Sequence, residues 1–147
     1  LLSTAPVRAS ALETLPGRKI VYTNGTAPDA RQVRAARGLV RVFEAVYGVE
    51  EANFLPKPEL EAFETIFALD GIQSRQAAMF EDEARNLLVP HSLGMHTIHV
   101  APAPVTAPYL QHHNNNLRQF LELLVSVRMT LRPAHLTALT FTVTAQT

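Results

Sequence analysis

Short apolar runs alternate with stretches of helical periodicity through most of the chain. Val7 to Leu15 reads as a short helix, closed by Leu15-Pro16-Gly17. Lys19 to Thr23 is a compact apolar run, the pattern of a strand buried on both faces. Thr26, Pro28 and Asp29 then signal a helix start resembling a capping box. Val33, Ala36, Val40 and Phe43 follow at helical spacing, with Gly38 expected to break the helix before its end. Ala45 to Gly48 reads as a short strand. Pro58 opens a second helix with Leu60, Phe63, Ile66 and Phe67 on one face, ended by Asp70-Gly71. Ala77 to Phe80 is another buried strand, Glu83 to Leu93 a helix broken around Pro90, and Thr97 to Val100 a third strand. Ala101 to Pro108, with its three prolines, is a loop. Leu117, Phe120, Leu121 and Leu124 mark a last helix. Such alternation predicts an α/β fold: a three-layer sandwich around a parallel, Rossmann-like sheet.

Length and charge narrow the function. The 147 residues suffice for one domain with a sizeable core. Thirteen basic residues balance 13 acidic ones, which argues against nucleic acid or an anionic membrane as partner. There is no cysteine, hence no disulfide frame and no thiolate zinc site. No apolar run approaches a membrane span, and Leu1-Leu2-Ser3-Thr4 carries no signal-peptide pattern, so a cytoplasmic location is expected. The chain also opens without methionine and reads as beginning partway through a gene product.

Three places carry candidate chemistry. Thr23 ends an apolar strand, and Asn24-Gly25 leads into a capped helix. Backbone N–H groups facing outward there, beside the positive end of the helix dipole, suit a phosphate. A plain strand-to-helix turn capped by Thr26 accounts for the same residues without a ligand. Lys57 lies between Pro56 and Pro58, which favours extended backbone just before a helix. A cation meeting a helix N-terminus costs about 0.3–1 kcal/mol. Eleven of the 13 basic residues are arginine, so lysine is unusual here, and a compact ammonium suits a point contact to phosphate or carboxylate. A solvated lysine on a proline-rich turn is the other reading. Glu81-Asp82-Glu83 sets three carboxylates in a row after a buried strand. They raise one another's pKa unless a cation is present, and Mg2+ accepts one or two protein carboxylates plus waters. Asp82 as a simple helix cap is the competing account. Asn86, one turn on, either orients these carboxylates or is merely an exposed polar residue. His96 and His99 should point to opposite faces of one strand, and His112-His113 falls in a polar loop. No histidine spacing matches a zinc signature.

The segments Val21-Tyr22-Thr23-Asn24-Gly25-Thr26, Leu55-Pro56-Lys57-Pro58-Glu59 and Met79-Phe80-Glu81-Asp82-Glu83-Ala84-Arg85-Asn86 stand at a familiar order and spacing. They resemble the second, third and fourth motifs of the haloacid-dehalogenase-like hydrolases. The wording is nearest the bacterial pyrimidine 5′-nucleotidase-like branch. The resemblance runs from about Pro6 to about Val125. It implies that residues 1–125 are the C-terminal part of a core domain and residues 126–147 a divergent or disordered tail. It implies Mg2+-dependent hydrolysis of a small phosphate monoester, such as a pyrimidine nucleoside monophosphate, through an aspartyl-phosphate. Thr23, with Asn24 and Gly25, would bind the phosphoryl group. Lys57 would neutralise its charge, Asp82 would bind the metal, Glu81 would help from the outer shell, and Asn86 would support them.

One motif does not match. The family's first motif is an Asp-x-Asp on its first strand, and the only aspartates here are Asp29, Asp70 and Asp82. The chain alone is therefore expected to be inactive, with nucleophile, general acid and substrate-selecting cap all belonging to an upstream region. A non-catalytic α/β domain that binds an anion or a protein is the alternative. The absent strand would lie between the strands ending at Thr23 and near Phe80, leaving an open gap and weak amide protection on both sides. Leu136 to Thr144 alternates apolar residues with threonine, a pattern that suits an edge better than the centre of a sheet.

Overall fold

The computed structural model describes residues 12–13, 15, 17–36, 38–103, 105–114 and 138–141. Its strands are β1 (Arg18–Tyr22), β2 (Ala45–Tyr47), β3 (Ala77–Glu81), β4 (His96–Val100), β5 (His112–Asn114) and β6 (Ala138–Phe141). The helices are α1 (Ala27–Ala36), α2 (Leu60–Asp70) and α3 (Leu88–Ser92), with short 3-10 turns at Ser74–Gln76 and Ala84–Leu87. The strands form one sheet in the order β2-β1-β6-β3-β4-β5, and every pairing is parallel.

Local chemistry explains most boundaries. The Asp29 N–H donates to Thr26 Oγ1 at 3.3 Å, as the capping pattern predicts. Helix α1 stops before Gly38, whose φ of +69° is left-handed. Gly71, at φ +72°, closes α2, with its N–H on Ala68 O and the Ile72 N–H on Phe67 O. Pro90 does not break its helix. It is the third residue of α3, in the first turn, where no intrahelical donor is needed; the irregular turn precedes it. Leu60 is exposed, so α2 buries Ala62, Phe63, Ile66 and Phe67 instead. His112 and His113 lie in strand β5 rather than in a loop. The Thr97 N–H donates to Gln111 Oε1 and the Gln111 N–H to Thr97 Oγ1, which pins this edge to β4. The residues expected to form the last helix, and most of those expected in the first, lie outside the described residues.

Each face of the sheet has its own core. Val21, Ala78, Phe80, Ile98, Leu139 and Phe141 pack with Ala27, Ala30, Leu39, Val42 and Phe43 on one side. Tyr22, Met79 and Ala138 pack with Phe63, Ile66, Leu87 and Met95 on the other.

The centre of the sheet overturns the expected gap. Residues 138–141, within the presumed tail, form the strand between β1 and β3. Ile20 and Met79 both pair with Thr140, and Val21 and Phe80 both pair with Phe141. Phe141 stacks on Phe80 at 4.5 Å between centroids and meets Phe43 edge-on at 5.4 Å. Burying Leu139 and Phe141 contributes roughly 1.5–3 kcal/mol each. That outweighs the polar Thr140, whose Oγ1 is buried with no partner among the described residues.

Amide hydrogen exchange on the monomer should therefore show strong protection at Ile20–Tyr22 and Ala77–Phe80; rapid exchange there would refute the closed sheet. Thr140→Val removes an unsatisfied hydroxyl at nearly constant shape and should raise stability by about 1 kcal/mol in urea unfolding.

Candidate functional site

In a parallel sheet the carboxyl ends of all strands lie on one side, where crevices receive ligands. Thr23 follows β1, Glu81 ends β3, and Lys57 lies on the loop after β2. Three of the expected site residues meet through Lys57. Its Nζ donates to Glu81 Oε2 at 2.7 Å and to the backbone oxygen of Tyr22 at 3.1 Å, and sits 4.8 Å from the Tyr22 ring centroid. Both charged side chains are 1% exposed. Strands β1 and β3 flank β6, so this ammonium spans the carboxyl end of the central strand.

Asn24 holds Lys57 from the backbone. The Lys57 N–H donates to Asn24 Oδ1 at 2.7 Å, and Asn24 Nδ2 donates to Lys57 O at 3.2 Å. Its amide thus positions the cation. Thr23 is buried, and its Oγ1 accepts the Gly25 N–H at 3.0 Å.

The backbone donors expected to face outward at α1 are largely used within the protein. The Ala27 N–H donates to both Glu50 oxygens, at 3.0 and 3.2 Å. The Asp29 and Ala30 N–H groups donate to Thr26. A carboxylate of this chain already occupies the positive end of the helix dipole. Gly48 permits it, since a Cβ there would lie 2.3 Å from both Ala27 N and Glu50 Oε1. The loop after β2 is tied down further by the Thr23 N–H on Tyr47 O and the Val49 N–H on Gly25 O.

Burial pushes the Glu81 carboxyl above the ordinary range; Lys57 opposes this and neighbouring Asp82 adds to it. Burial, reinforced by Glu81, likewise raises the Tyr22 phenol. Glu81 Oε1 accepts the Glu83 N–H at 3.3 Å, so both carboxylate oxygens of Glu81 have protein partners. Asp82 is half-buried, and its backbone oxygen lies 3.0 Å from His99 Nε2. Asn86 is buried, with Oδ1 lacking a partner among the described residues. No group of three His, Cys, Asp or Glu that could hold a metal occurs among the described residues. A half-exposed carboxylate and an unpartnered buried amide oxygen in the turn after β3 nevertheless suit Mg2+, a hard cation that keeps most of its waters.

Sequence reasoning singled out neither Glu50 nor Tyr22, and weighed His99 only as a metal ligand. Gly48, read there as part of the short strand, directly follows it in the structure and is the one signal for the Glu50 contact. The histidines divide as the odd offset predicts. His99 is buried with its ring 5.4 Å from that of His113, while His96 acts electrostatically on half-buried His112.

No family model and no curated protein matches the sequence. Solved structures do. A HAD-superfamily hydrolase of subfamily IA, variant 1, from Geobacter sulfurreducens is 25% identical with a TM-score of 0.60, over 78% of this chain and 57% of that one. A dehalogenase solved with an intermediate complex is 18% identical with a TM-score of 0.62, over 72% and 48%. A Bacillus subtilis protein assigned as the HAD hydrolase YfnB, bound to magnesium, is 17% identical with a TM-score of 0.63, over 79% and 52%. The fold is that of the HAD-superfamily hydrolases. The chain spans roughly half the length of these proteins, between 48% and 57%.

The buried pair yields a prediction. Lys57→Met strands a carboxylate and should cost about 3–5 kcal/mol, whereas Lys57→Met with Glu81→Leu should cost clearly less. Glu81 titrates above its unfolded value of 4.5, so the native state binds its proton first and stability rises as pH falls towards that value. The single variant, lacking the opposing ammonium, should regain stability on acidification from pH ~7. Urea unfolding across pH tests both expectations, and equal losses in the single and double variants would contradict the coupling.

Proposed function

We propose that the carboxyl edge of β1, β6 and β3 is the phosphoryl-binding end of a Mg2+-dependent phosphate monoester hydrolase. The buried Lys57 ammonium, fixed across the end of the central strand, is the observation that carries this reading. A desolvated cation there would stabilise negative charge developing on phosphoryl oxygens. In this reading the Thr23 hydroxyl, oriented by the Gly25 N–H, contacts the phosphoryl group, while Glu81 and Asn24 hold Lys57 in place. Asp82 would hold Mg2+, with Asn86 beside it; when bound, the ion supplies charge neutralisation. Pyrimidine nucleoside monophosphates are proposed as substrates on motif wording alone. Among the described residues no helix is long and apolar enough to cross a membrane.

The position of β6 bears on the nucleophile. In the resembling family the central strand leads into Asp-x-Asp, whose aspartate attacks phosphorus to form an aspartyl-phosphate that water then cleaves. Here the chain continues from Phe141 as Thr142-Val143-Thr144. We read these threonines, by order in the sequence alone, as corresponding to the two aspartates. A threonine hydroxyl without an adjacent base is a weak nucleophile. This substitution also favours the second reading, a domain that binds a phosphorylated ligand without cleaving it, since no acidic residue occurs from Ala138 to Thr147.

Purified chain with Mg2+ should not hydrolyse p-nitrophenyl phosphate. Thr142→Asp with Thr144→Asp should introduce turnover. On that background Asp82→Asn should raise the Mg2+ concentration required, and Lys57→Ala should lower kcat/KM by about 100-fold. A double variant that binds phosphate but stays inactive would favour the non-catalytic domain.

A further inference from the structure

The loop between β2 and Lys57 contains a strained, exposed aromatic residue that the proposed site does not use. Asn53 and Phe54 are consecutive non-glycine residues with left-handed backbone, at φ +57° and +61°. That conformation is uncommon for asparagine and an outlier for a bulky side chain. The loop enforces it through the Asn53 N–H on Glu50 O, the Phe54 N–H on Val49 O and the Leu55 N–H on Ala52 O. The phenyl ring is 73% exposed. A single exposed apolar side chain is ordinary. One held outward by backbone strain on a tightly hydrogen-bonded loop calls for a reason.

Its placement supplies one. The loop is anchored at both arms of the proposed phosphoryl site. On one side Val49 and Glu50 bond Gly25 and Ala27. On the other, the chain runs from Phe54 to Lys57, three residues on. Phe54 therefore lies on the loop that carries Lys57 to the carboxyl edge of the sheet, its Cα at most about 10 Å from that of Lys57. We propose that Phe54 is a stacking platform that selects phosphate monoesters of planar, ring-bearing alcohols over those of aliphatic ones. This rests on the phosphoryl-binding reading above and adds the class of leaving group. An aromatic face is worth about tenfold or more in affinity for a flat ring, and only two torsions are frozen when the ring docks.

The test is an NMR titration of the intact chain with Mg2+, using phenyl phosphate, glycerol 1-phosphate and inorganic phosphate as probes. Phenyl phosphate should bind about tenfold more tightly than glycerol 1-phosphate. Phe54→Ala should abolish that preference while leaving inorganic phosphate affinity unchanged, and Phe54→Trp should restore it. Equal affinities in the wild type, or a preference that survives Phe54→Ala, would overturn the platform while sparing the phosphoryl site. Failure of all three probes to bind would overturn the phosphoryl site and the platform with it.

Discussion

A single ammonium group, withdrawn from water and shared between two strands that do not touch, organises this end of the molecule. Lys57 links Tyr22 of β1 to Glu81 of β3, with β6 lying between them. Its desolvation is offset by a carboxylate, a carbonyl and an aromatic face, and its backbone is clamped by Asn24. Removing any one of these partners would leave a buried charge poorly compensated. The geometry therefore constrains β1, β3 and the loop after β2 together. It also keeps a positive charge at the one edge of the sheet where a parallel fold can receive a ligand.

The chain does not place every source of positive potential at the service of a ligand. Glu50 occupies the amino end of α1 with both carboxylate oxygens, made possible by the missing Cβ at Gly48. The helix dipole is thus satisfied internally, by a carboxylate of the chain itself. The same loop carries Phe54 outward, so one segment closes a helix, places a cation and presents a ring.

Local signals were strong where a residue acts on its own neighbours. Thr26, Gly38 and Gly71 marked helix limits because capping and left-handed backbone depend on adjacent residues. The buried strands at Ile20 and Ala77 stood out as apolar runs. The site was legible as residue types and spacing, yet its connections were not. Nothing local tells that Asn24 grips Lys57 or that Glu50 reaches Ala27, because such contacts exist only after the strands assemble. Leu139 to Phe141 was misread for a related reason. Alternating threonines look like an edge, and only long-range pairing with Phe80 and Phe43 makes the segment a core strand. Pro90 and the His112–His113 pair were misjudged because position within a helix turn, and pairing at a sheet edge, override residue type.

The late origin of the central strand shapes how the molecule comes into being. Ile20 finds its partner Thr140 roughly 120 residues further along, so the sheet cannot be completed until nearly all of this sequence has left the ribosome. Until then β1 with β2, and β3 with β4 and β5, are two half-sheets, each with a bare apolar edge facing the place that β6 will fill. At about 5–20 residues synthesised per second, those edges wait for several seconds, long enough to pair wrongly with other nascent chains. A sheet whose middle strand follows both of its neighbours in sequence is slow by topology.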